Sequence, residues 1–219
     1  MSLETLNWVR LITPGVLIYL LWNSCTWILG AGKFQLPEKV DEVSGLLLTL
    51  IVGGIWYYLG VRDRTNAQAT QQIQNNLVTQ MRDIIPTHPK RDRLTWAIVS
   101  RVFYHYVDKD ASLTQQSHMA YWNGAFWSFA ADLRMASGLA VVAYVVIALA
   151  GETGGWQYSA PRCFLAFLTA VVLFVISIEL TRSSTQKQIE IGTRQIRSMV
   201  LMYGDELRPK LTGIVNALP

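Results

Sequence analysis

Four apolar runs, each close to the length that crosses a bilayer, constrain this 219-residue chain more than any other feature. They cover 8–29, 44–61, 135–151 and 163–180. A spanning helix needs about 20 mostly apolar residues, so the first run is ample and the other three are short. The expected fold class is an all-α integral membrane protein with four transmembrane helices and both termini cytoplasmic. Transmembrane helices 1 and 2 fall in 1–61 and helices 3 and 4 in 135–180. A cytoplasmic helical loop with an aromatic and basic interfacial segment fills 62–134, and a cytoplasmic helical tail fills 181–219.

A charged fraction of 16% and a mean hydropathy of +0.25 agree with a membrane chain carrying a modest polar part. The residues outside the runs are too few for a separate enzyme domain of ordinary size. The first run is longer than a signal peptide's apolar stretch and no small-residue cleavage site ends it, so it reads as a retained helix.

Positive charge sets the orientation. Nine Lys/Arg lie in 62–134 and six after Leu180. The connection between the first two runs carries only Lys33 and Lys39, offset by Glu38, Asp41 and Glu42, and 152–160 carries no base. The N-terminus, long loop and tail are therefore expected on the cytoplasmic side. Trp8 and Trp56-Tyr57-Tyr58 mark the inner boundary, and Trp27, Trp156 and Tyr158 the outer one. A bacterial inner membrane is the expected host, because no transit-type leader or outward glycosylation sequence is seen.

The polar part reads as helical. Ala69, Ile73, Leu77, Met81 and Ile84 form one seam, ended by Pro86 and Pro89. Ile189, Ile196 and Tyr203 recur every seven residues with Met199 and Val200 between them, predicting a helix that stops at Gly204 or near Pro209. The two seams pack on each other, or each meets its copy in a second subunit. Between them, Trp96, Trp122 and Trp127 accompany Lys90, Arg91, Arg93 and Arg101. This group suits a surface for anionic lipid or a protein partner; a small aromatic core is the other reading.

Chemistry-bearing patterns are few. Asp108-Lys-Asp110-Ala-Ser112 opens like a calcium loop, but Leu113 stands where such a loop needs Gly. A polar turn with Asp110 or Ser112 capping the next helix is the preferred reading. His88, His105 and His118 are scattered, with no metal-ligand spacing. No phosphate loop, nucleophile arrangement or paired carboxylates occur inside the runs, so no catalytic residue, metal or cofactor is expected and the chain is not read as an enzyme. Cys25 and Cys163 either pair or serve as packing thiols.

The polar residues inside the runs are Asn23, Ser24, Thr26, Thr169 and Ser177, the candidate pore lining. Pro14-Gly15 is a candidate kink. Gly45, Thr49 and Gly53, then Ala136, Ala140 and Ala143, then Ala166 and Ala170, form small-residue stripes that let helices approach. The lipid bilayer and further copies of the chain are the expected partners. The favoured function is a homo-oligomeric membrane channel or membrane-perturbing effector gated through its cytoplasmic helices. The alternative is a non-enzymatic membrane anchor or sensor subunit that recruits a cytosolic partner protein. Nucleic acid is not an expected partner, since the loop bases alternate with Asp63, Asp83, Asp92 and Asp108.

Overall fold

The protein is described from a computed structural model covering residues 3–30, 43–154 and 158–218. Side chains are described from Trp8 in the first helix (Val9 excepted), from Thr49 in the second and as far as Gly151 in the sixth. The expectations placed on Gly45 and Trp156 therefore lie outside the described residues. The chain is all-helical, with no strand among those residues. In order, the helices are α1 (Leu3–Ile28), α2 (Val43–Tyr58), α3 (Val61–Thr65), α4 (Ala67–Arg82), α5 (Trp96–Lys109), α6 (Ala111–Gly154) and α7 (Ala160–Ala217), with a 3-10 turn at Arg91–Arg93.

Three of these, α1, α6 and α7, are long and apolar enough to cross a membrane. α2 is equally apolar but has 16 residues, or about 24 Å at 1.5 Å per residue, short of a 30 Å hydrocarbon core. The run expected to reach Val61 ends early because Gly60 takes a left-handed conformation, φ 60°. The chain then restarts as α3. Among the described residues, three helices are of spanning length and α2 is a shorter apolar helix.

Two compact units divide the chain. Unit 1 contains 1–66 and 125–181, and unit 2 contains 67–124 and 182–219. Residues 62–66 and 125–134 fall in unit 1. Unit 2 carries twelve Lys/Arg and seven Asp/Glu, and unit 1 carries seven and eight. The whole positive excess of the protein resides in unit 2.

In unit 1, α1 and α2 run antiparallel. A Cβ on Gly15 would strike the Thr49 backbone, and one on Gly53 would strike the Leu11 carbonyl. Small residues here allow backbone-to-backbone contact. Pro14 sits inside α1, which nevertheless continues as one helix. A proline removes the N–H that would bond the carbonyl four residues back, here Arg10, and that carbonyl instead accepts from Arg62 Nη2 at 2.9 Å. Farther along, Ile28, Ala140, Tyr144, Cys163 and Ala170 form a buried cluster. The end of α1 is fixed by the Ser159 N–H on the Ile28 carbonyl, 3.0 Å, and by Arg162 Nη1 on the Trp27 carbonyl, 3.1 Å.

Unit 2 has its own core, in which the two sequence seams meet within one chain. Leu77, Met81, Leu94, Val99, Leu113, Ile196, Met199, Leu207, Leu211 and Val215 are buried together. Gly192 lies directly against Leu77. The Gln and Asn residues supply a polar ladder beside the apolar core. Gln80 Nε2 donates to Thr193 Oγ1 at 2.8 Å. Asn123 Nδ2 donates to the Ser184 carbonyl at 2.6 Å, and Gln195 Nε2 to Ser117 Oγ at 3.0 Å. α7 does not stop at Gly204 or Pro209. Its backbone leaves helical geometry at Tyr203 (φ −128°, ψ 16°) and then resumes to Ala217.

Candidate functional site

A buried ionic cluster of unit 1 lies where α1 begins and α2 ends. Asp132, on α6, is 1% exposed. Arg62 reaches its carboxylate with both Nε, at 3.2 Å, and Nη2. Trp56 Nε1 donates to Asp132 Oδ1 at 3.1 Å. A buried carboxylate is tolerable when paired and multiply hydrogen-bonded, and Asp132 has both. Beside it lies a cleft lined by Arg10, Pro14, Gly53, Trp56, Tyr57, Gly60, Arg62 and Asp63. Arg10 Nε is buried there without a hydrogen-bond acceptor, a condition that costs roughly 1–3 kcal/mol for an ordinary donor and more for a charged one.

The expected pore residues do not gather on one face. Ser24 bonds the Tyr144 hydroxyl and, at 2.7 Å, the Leu21 carbonyl. Thr26 Oγ1 donates to the Asn23 carbonyl at 2.8 Å. Asn23 is half-buried on the same helix. Thr169 is exposed, and its hydroxyl returns to the Leu165 carbonyl. Ser177 is 0% exposed and donates to the Phe174 carbonyl at 2.6 Å. Eight residues at 100° per residue turn the helix by two revolutions and about 80°, which is why Thr169 and Ser177 occupy different faces.

The small-residue stripes are used inside unit 1. Thr49 and Gly53 face α1. Ala136, Ala140 and Ala170 are buried, and Ala143 and Ala166 are half-buried. Cys25 and Cys163 are free thiols, and Cys163 Sγ donates to the Tyr144 carbonyl at 3.5 Å.

The basic surface of unit 2 separates into two kinds of residue. Lys90 Nζ donates to the Leu218 carbonyl at 3.2 Å, and Arg91 Nη1 to the Pro86 carbonyl at 3.1 Å. These two hold the loop and the end of the tail. His88 joins them: its Nδ1 accepts the Lys90 N–H, so its Nε2 carries the proton donated to Asn216 Oδ1 at 3.0 Å. Arg93 and Arg101 stay exposed. Trp96 is half-buried against the unit 2 core, and Trp122 is exposed beside Tyr121. Trp127, which lies in unit 1, accepts from Asn66 Nδ2 through its carbonyl at 3.2 Å.

A second polar cluster clamps the break in α7. Tyr203 donates its hydroxyl to Asp110 Oδ2 at 3.1 Å, and its ring lies 4.9 Å from Lys109 Nζ. Lys109 also donates to Glu206 at 3.2 Å, which raises its pKa above the ordinary lysine value. Asp110 Oδ1 accepts the Ser112 hydroxyl at 2.6 Å and the Ser112 and Leu113 N–H groups at 2.8 and 3.1 Å. Asp110 therefore caps α6. Those bonds, the Ser112 hydroxyl foremost, hold its carboxyl below the usual aspartate value.

Sequence reasoning passed over Asp132. The available signal was positional, because Asp132 and Arg62 each lie within three residues of the end of an apolar run. Among the described residues no three His, Cys, Asp or Glu side chains converge as metal ligands would. No family model, curated protein or solved structure matches this chain.

Proposed function

We propose that this protein is a non-enzymatic membrane anchor or sensor subunit whose unit 2 meets a cytosolic partner. In this reading the bilayer is crossed by α1, by α2 and by the 135–151 and 163–180 stretches of α6 and α7. The short α2 is accommodated by local thinning of the bilayer. Both termini and unit 2 lie on the cytoplasmic side of a bacterial inner membrane, in keeping with the concentration of positive charge in unit 2.

One observation carries the choice of anchor over pore. The groups that self-assembly would draw on are already engaged within a single chain: Ser24 on Tyr144, Gly53 on Leu11, and the α4 seam on the α7 seam. What unit 2 leaves outward is Arg93 and Arg101 with Tyr104, Tyr121 and Trp122, a basic and aromatic composition typical of binding surfaces.

The channel or membrane-perturbing effector keeps one supporting observation. Thr169 stands on the exposed face of α7, where a ring of copies would turn it to a central axis. The mass of the particle in lipid nanodiscs decides between the two readings. A monomer or dimer is expected for the anchor; a closed ring of three or more copies overturns it in favour of the channel.

A further inference from the structure

We infer that the cleft between α1 and α2 binds the phosphodiester of a phospholipid headgroup. This rests on the membrane-embedded reading above and gives that reading a ligand. The first support is charge. Arg62 is already committed to Asp132 and to the Arg10 carbonyl, whereas Arg10 lines the cleft with a buried Nε–H that has no acceptor. A phosphate oxygen is held by the terminal nitrogens of that guanidinium, whose planar fork suits phosphate geometry.

The second support is the setting. Tyr57, which lines the cleft, is 77% exposed, and Trp8 and Tyr58 protrude from the same two helix ends. Amphipathic rings so placed match the headgroup level of a bilayer. Size is the third. The cleft volume is about 40 Å³, room for roughly three waters at about 10–15 Å³ each. It holds phosphate oxygens and leaves the acyl chains outside, along apolar α1 and α2.

Asp63 lines the same cleft with an exposed side chain. Its charge disfavours a second negative charge on the ligand, so a singly charged phosphodiester is preferred over a phosphomonoester dianion. An amine-bearing headgroup is accommodated beside it.

The test uses the full-length protein in detergent, mixed with phosphatidylglycerol, phosphatidylethanolamine or phosphatidic acid, with retained lipid counted by native mass spectrometry. The two diesters are expected to be retained over phosphatidic acid. Arg10→Gln, which removes no side-chain hydrogen bond among the described residues, lowers retention about tenfold, as loss of a charge-assisted bond requires. Arg64→Gln, an exposed arginine outside the cleft, leaves retention unchanged. Equal retention by Arg10→Gln and the parent overturns the site. Displacement of the lipid by excess inorganic phosphate reassigns it to free phosphate and overturns the lipid. Alkaline carbonate extraction of the source membranes keeps the two readings separable. Protein released to the supernatant refutes the membrane reading, while protein that stays in the pellet without Arg10-dependent lipid refutes this site alone.

Discussion

Asp132 and Arg62 hold each other in a place where either charge alone would be costly. With Asp132 1% exposed and three donors on its carboxylate, Asp132→Ala leaves Arg62 half-buried with no counter-charge. The expected loss is about 3–5 kcal/mol, measured by denaturant unfolding of the detergent-solubilised protein. The double variant Arg62→Met/Asp132→Leu is expected to recover most of that loss, because it removes the unpaired charge as well as the pair. A double variant no more stable than Asp132→Ala would show that the pair does more than neutralise itself. Asp110 makes a prediction of opposite origin. Its folded pKa is depressed, so its contribution is complete above the unfolded aspartate value of about 3.9 and disappears as pH falls through the lower folded value. The melting difference between the parent and Asp110→Ala should therefore be constant near neutral pH and shrink below that value. A difference that persists under strong acid would assign the cap to packing and not to the carboxylate. The cap was legible in the sequence as a polar turn with Asp110 or Ser112 before a helix. Asp132 was not, since one acid beside a run of apolar residues looks like an ordinary flank until its partner, seventy positions away, is brought to it.

Helices α1 and α2 depend on glycine at the points where their backbones touch. A methyl at Gly53 meets the Leu11 carbonyl, whereas a methyl at Gly54 meets nothing within 4 Å. Gly53→Ala should lower stability by about 1–3 kcal/mol and Gly54→Ala by less than about 0.5 kcal/mol, read as melting temperatures in one detergent. Equal shifts for the two would remove the backbone contact from the account. The long helices are anticipated by the sequence for two reasons: unbroken apolar length marks α1 and the first part of α7, and apolar periodicity marks α4 and the later part of α7. Their ends are less legible. Proline at 14 suggests a kink, yet α1 continues because Arg62 occupies the carbonyl that the proline leaves unbonded. Gly60 lies inside the second apolar run, yet its left-handed backbone ends the helix there. Near 209 the reverse holds. The local departure at Tyr203 lets α7 resume, and Leu207, Leu211 and Val215 then bury fully, so tertiary packing overrides the stop signals.

At the scale of the whole chain, the sequence left open whether the α4 and α7 seams meet each other or meet copies, because a heptad pattern carries no address. The structure pairs them within one chain, and unit 2 is therefore assembled from two segments separated by fifty-seven residues, 125–181. That separation has a consequence for synthesis. Leu77, Met81, Leu94, Val99 and Leu113 leave the ribosome without the α7 half of their core, and that half, Ile196 through Val215, emerges only after two long apolar stretches have passed. At about 5–20 residues per second the wait is roughly 5–20 s, far longer than the microseconds in which hydrophobic chains collapse. The nascent loop must therefore be shielded while the apolar stretches are delivered, and the last thirty-eight residues act as the latch that closes unit 2.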